Sequence, residues 1–188
     1  MFTGRLVFSQ VMYFMPLPVF RRCVAKYQGD FKVRVEASAV LYWDTSALLS
    51  CFFADSHSAT ARKRLEPDAV HLLSSLAHAE ACTVIARMTR EGAIAETMAE
   101  TIRNAITNGR WRQLNGPPDH GVVAALSRKW PLRGAHLWHL ALAVSLQEEL
   151  PELRLLSFDD RLREAAAGEG LTDPSPLATF LHGNAEKS

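Results

Sequence analysis

Asp44 follows an apolar, strand-like run, Val40 to Trp43, in the stretch VLYWDTSALL. A carboxylate at the end of such a run must be hydrogen-bonded, paired or bound to a cation, because unpaired burial costs about several kcal/mol. It can serve as the N-cap of a helix opening at Ser46, or as a ligand. Glu80 lies in Ala77-His78-Ala79-Glu80-Ala81-Cys82, where small apolar neighbours turn its charge inward. The macrodipole also favours an acid early in a helix. Asp159 and Asp160 follow another apolar run. Asp159 suits either a cap or a ligand, and Asp160 suits the surface or a spare carboxylate. Carboxylates gathered in one place repel unless a cation sits among them. Hard oxygen ligands suit Mg²⁺ or Mn²⁺. Such an ion generates hydroxide from water and stabilises phosphoryl oxygens.

The elements that must position these residues follow from periodicity. Short apolar runs predict strands over residues 40–43, 69–73, 111–114 and 153–156. Helical periods predict helices over 46–53, 58–65, 76–90, 93–108, 122–129, 135–149 and 159–167. Ser74 and Ser75 are good caps, and Asn115-Gly116-Pro117-Pro118 is a loop. Strands alternating with helices predict an α/β fold with a parallel sheet. In such sheets function gathers at the C-terminal ends of strands. Asp44, Glu80 and Asp159 all fall there.

Of the 188 residues, 48% are hydrophobic and 22% charged, which suits one globular domain with an appendage. A net charge of +1 leaves no global field to select nucleic acid or membrane. Residues 1–39 are nevertheless basic, with Arg5, Arg21, Arg22, Lys26, Lys32 and Arg34 against Asp30 and Glu36. Cys23, Cys51 and Cys82 are too few and scattered for a disulfide framework or a zinc knuckle, and reduced thiols fit the cytoplasm. The apolar run from Leu6 to Phe20 contains Pro16 and Pro18 and falls short of the roughly twenty residues a spanning helix needs. The A-x-A match Ala37-Ser38-Ala39 lies too far beyond charged residues to suit a signal-peptide cleavage site.

The blocks LYWDTSALL, SSLAHAEACTVIARM, PLRGAHLWHLALAVSL and LRLLSFDDRLREAAAGEGL resemble, in order and spacing, those of PIN-domain ribonucleases, above all the VapC-type toxins of toxin–antitoxin pairs. The resemblance spans about residues 40 to 182, with 1–39 as an N-terminal extension or an over-extended start and 183–188 as a tail. It implies a three-layer α/β/α fold, with a parallel sheet flanked by helices. It also implies a Mg²⁺- or Mn²⁺-dependent endoribonuclease, a cognate antitoxin and a homodimer in the cytoplasm. Carried over by position, Asp44, Glu80 and Asp159 become the metal ligands, with Ser46 and Ser157 as supporting hydroxyls and Asp160 as a neighbouring carboxylate.

One position departs from the pattern. The family motif is roughly L-R-x-x-D-x-x-H, and this chain reads Leu132-Arg133-Gly134-Ala135-His136-Leu137-Trp138-His139. His136 therefore stands where a fourth carboxylate is expected. Imidazole is a poor ligand for Mg²⁺ and an acceptable one for Mn²⁺. Three readings stay open: a site retuned toward Mn²⁺, a catalytically impaired binding protein, or another metal-dependent phosphoesterase. His136 and His139 share a helix face, but no H-E-x-x-H or cysteine partner supports zinc. His139 reads as a hydrogen-bonded core residue. Arg87, Arg90 and Arg133 are the main candidates for RNA phosphate contacts, with Arg128, Lys129 and Arg161 also near the blocks.

Overall fold

A computed structural model describes residues 39–65 and 69–172. The extension 1–39, except for Ala39, lies outside the described residues, as do the run from Leu6 to Phe20, Cys23 and the tail 183–188. Among the described residues, no helix is long and apolar enough to cross a membrane.

Four strands form one parallel sheet: β1 (Val40–Trp43), β2 (Val70–Ser74), β3 (Trp111–Leu114) and β4 (Leu153–Leu156). Their order is β3-β2-β1-β4. The chain steps outward from β1 to β3, then returns to place β4 on the other side of β1. The junction between β1 and β4 is thus the switch point, where an open parallel sheet leaves a crevice at its C-terminal edge. Trp43, the last residue of β1, is level with Leu73 and Leu156.

Strand alternation sends β1 side chains to two cores. Leu41 and Trp43 join Leu73 and Trp111 beneath α1 (Thr45–Ser50), α2 (Ser58–Arg64), α3 (Ser75–Arg90) and α4 (Glu96–Asn108). Val40 and Tyr42 join Leu72, Leu153 and Leu155 beneath α5 (His120–Lys129), α6 (Gly134–Gln147) and α7 (Asp160–Gly168). The result is the expected α/β architecture, with helices on both faces of a parallel sheet. Every residue of β1 is buried, which explains its unbroken apolar character.

The boundaries expected from sequence shift by local chemistry. The fourth helix begins at Glu96 instead of residue 93, because Gly92 turns the chain in the left-handed region at φ 71°. The fifth begins at His120 instead of residue 122, capped by Asp119, whose side chain accepts from the Val122 N–H. Asp159 is the cap of α7, not its first residue.

Candidate metal and phosphodiester site

The switch point is stitched by three short bonds. The Asp44 N–H donates to the Leu156 carbonyl at 3.1 Å. Ser157 Oγ donates to Asp44 Oδ2 at 2.8 Å, and the Phe158 N–H donates to Ser46 Oγ at 2.9 Å. Asp44 is also the N-cap of α1: its Oδ1 accepts from the Ala47 N–H at 2.9 Å and from Ser46 Oγ at 2.8 Å. Cap and candidate ligand are therefore the same side chain. Burial, with only 2% of Asp44 exposed, pushes its carboxyl above the ordinary range. The three hydrogen bonds work against that rise.

Glu80 comes from the second turn of α3, which Ser74 caps through the Ala77 N–H. Its Oε2 accepts from Thr45 Oγ1 and, at 3.2 Å, from His139 Nε2. His139 holds the carboxyl of Glu80 below its ordinary value, and Thr45 adds to that lowering. His139 is buried in α6, on the opposite face of the sheet, and Tyr42 Oη meets its Nδ1 at 2.8 Å. This bridge links the two helical layers across the C-terminal edge.

Asp44, Thr45 and Ser46, four residues of α3 including Glu80, and His136 with His139 line one cleft of about 380 Å³. Asp159 is not part of its lining. Asp159 Oδ1 caps α7 through the Leu162 N–H at 2.9 Å and lies 3.5 Å from His136 Nδ1. The Asp159 N–H donates to Ser157 Oγ at 3.1 Å, so this serine touches both aspartates.

The donor set matches a hard divalent cation in kind. Among the described residues, no Lys or Arg pairs with Asp44, Glu80 or Asp159. Glu80 Oε1 and Asp159 Oδ2 receive no hydrogen bond from the described residues. As they stand, no group of three or more His, Cys, Asp or Glu side chains among the described residues is arranged to hold a metal ion. Asp44 and Glu80 share the cleft, while Asp159 lies outside its lining, 3.5 Å from His136.

The other sequence candidates are spread more widely. Asp160 is 95% exposed and pairs with Arg163, so it points away from the cleft. Arg87, Arg90, Arg133 and Arg161 are exposed. Lys129 is held by Glu169 at 2.7 Å, which occupies it elsewhere. Sequence reasoning passed over Tyr42 and Thr45. The signal for Tyr42 was a hydroxyl inside an otherwise apolar strand, since a buried Tyr O–H needs a partner.

No protein-family model matches the chain, and no curated protein matches it. Among solved structures, the sarcin-ricin-loop-cleaving toxin VapC20 of Mycobacterium tuberculosis is similar at 15% identity with a TM-score of 0.44, over 66% of this chain and 94% of that one. That overlap does not assign the chain to a family.

Proposed function

We propose that this chain is a Mg²⁺- or Mn²⁺-dependent endoribonuclease that acts as the toxin of a toxin–antitoxin pair. The observation carrying this reading is the meeting of Asp44 and Glu80 in one cleft, with Asp159 3.5 Å from the cleft residue His136 and no Lys or Arg among the described residues paired with them. The PIN-like sequence blocks add the reaction class.

Asp44 and Glu80 would hold the ion, with Asp159 as third carboxylate and His136 beside it. Bound there, the ion supplies a polarised water and positive charge for the phosphoryl oxygens. The chain's own residues supply order. Ser46 and the Ala47 N–H fix Asp44 Oδ1, and Ser157 fixes Oδ2 while holding the Asp159 backbone. Thr45, the first residue of α1, holds Glu80. Arg87, Arg90 and Arg133 are proposed as phosphate contacts around the cleft. A cognate antitoxin and a homodimer belong to this reading, as does a domain over residues 40–182.

A second reading is favoured by one observation. His136 faces Asp159 at 3.5 Å, in the place where the family pattern has a carboxylate. On that reading the chain is a PIN-like binding protein without cleavage activity.

The deciding experiment incubates antitoxin-free protein with a mixed RNA pool under titrated Mg²⁺ and Mn²⁺, beside single-stranded DNA and a phosphomonoester. RNA cleavage that disappears in Asp44→Ala supports the nuclease. RNA left intact at every metal concentration, with RNA still bound, supports the binder. Preference for DNA or the monoester overturns both.

A further inference from the structure

We propose that His139, braced by Tyr42, is a positioning residue that aims Glu80 at the bound cation; this rests on the metal-dependent reading above. His139 is 1% exposed, and both of its ring nitrogens are occupied. A carboxylate oxygen accepts, and Glu80 Oε2 lies 3.2 Å from His139 Nε2, so Nε2 carries the proton. Nδ1 is then the acceptor and takes the Tyr42 O–H at 2.8 Å. A tyrosine phenol is protonated at neutral pH, so it is the donor in this contact. Its ring also meets the imidazole edge-on, with centroids 5.9 Å apart, which restrains rotation of His139.

This arrangement excludes His139 as a ligand, since neither nitrogen has a free lone pair. Its effect is on Glu80. Donors from Thr45 and His139 converge on Oε2 of this cleft-lining carboxylate, so it is held at one oxygen, and Oε1 receives no hydrogen bond from the described residues. Thr45 opens α1 and His139 comes from α6, so the carboxylate is clamped between two separately anchored elements. A second layer of hydrogen bonds of this kind orients ligands, and its loss typically weakens metal binding about 10–100-fold.

The test uses amides of two lengths in the full chain. Gln places its amide nitrogen near the position of Nε2, whereas Asn reaches only the position of Nδ1. Mn²⁺ binding is measured by calorimetry without RNA, and RNA cleavage is measured in parallel. The expected result is that His139→Asn weakens Mn²⁺ binding by about 10-fold or more, while His139→Gln recovers most of it. Tyr42→Phe, which keeps the ring and removes only the hydroxyl, should weaken binding by about 3-fold or more. Equal Mn²⁺ affinity in the Asn and Gln variants overturns the proposal. If the Asn variant does not fold, wild-type affinity in Tyr42→Phe overturns it instead. Wild-type protein that neither binds Mn²⁺ nor cleaves RNA removes the metal-dependent reading itself. Wild-type binding with indifference to Asn or Gln leaves that reading intact and removes only the role of His139.

Discussion

His136 Nδ1 lies 3.5 Å from Asp159 Oδ1, and so an imidazole of the cleft lining faces the aspartate that lies outside it. His139, three residues on along the same helix, meets Glu80 instead. One helix face thus presents two imidazoles to carboxylates from two different elements, Glu80 in α3 and the Asp159 cap of α7. The pairing at His136 decides how a fourth carboxylate would behave there.

Replacing His136 by Asp puts a like charge beside Asp159. Without metal, the two carboxylates repel, and the melting temperature of His136→Asp should fall by a few degrees. With metal, the added oxygen ligand should lower the Mg²⁺ concentration for half-maximal cleavage by about 10-fold. Thermal melts with and without Mg²⁺, beside a metal titration of cleavage, check both signs. A variant less stable in both conditions, with no gain in Mg²⁺ response, counts against His136 bordering the ion.

Ser157 joins Asp44 to the Asp159 backbone. Ser157→Ala removes a buried hydroxyl from both, at a cost of about 1 kcal/mol in stability. Metal affinity should fall about 10–100-fold. Denaturant unfolding and Mn²⁺ titration would measure the two effects; a stability loss with unaltered affinity would make Ser157 a brace of the sheet edge only.

Asp44 and Glu80 should push acid stability in opposite directions. Burial raises the folded pKa of Asp44 above its ordinary 3.8, so its contribution to stability is complete below that value and is lost as pH rises through the folded pKa. Asp44→Asn keeps an acceptor for the cap and does not titrate. It should be more stable than wild type at neutral pH, with the gap shrinking in acid. Glu80 is lowered below its ordinary 4.5, chiefly by His139, so its contribution is present above that value and lost as pH falls through the folded pKa. The advantage of wild type over Glu80→Gln should therefore shrink in acid. Denaturation between about pH 7 and pH 3 in metal-free buffer reads both differences; slopes that disagree with these signs would refute the assignment of the shifts.

Gly168 closes α7 against the Trp130 ring, whose Nε1–H donates to Glu169 at 2.7 Å. A Cβ at Gly168 would stand 2.4 and 2.5 Å from two ring atoms. Gly168→Ala should destabilise by about 1–3 kcal/mol. At Gly134, in the first turn of α6, a Cβ meets nothing within 4 Å. Gly134→Ala should stabilise by about 0.4–1 kcal/mol through the unfolded chain. Chemical unfolding of the two variants tests the contrast.

The sequence alone determined the elements and most of the candidate carboxylates. Strands at 40–43, 111–114 and 153–156 follow from short apolar runs bounded by turn and cap residues, a local property. Asp44 stood out because a charge ended such a run, and Asp159 because a cap residue followed another. What tertiary structure decided was which distant residues meet. Placing β4 beside β1 joins Ser157 to Asp44 across 113 positions. Folding α6 over the sheet edge joins His139 to Tyr42 across 97 positions and to Glu80 across 59. The same packing set Asp159 beside His136 and left Asp160 in solvent. Periodicity determines which face of an element is apolar, but strand order and helix docking determine which polar side chains share a cleft. Those contacts leave no local mark in the chain.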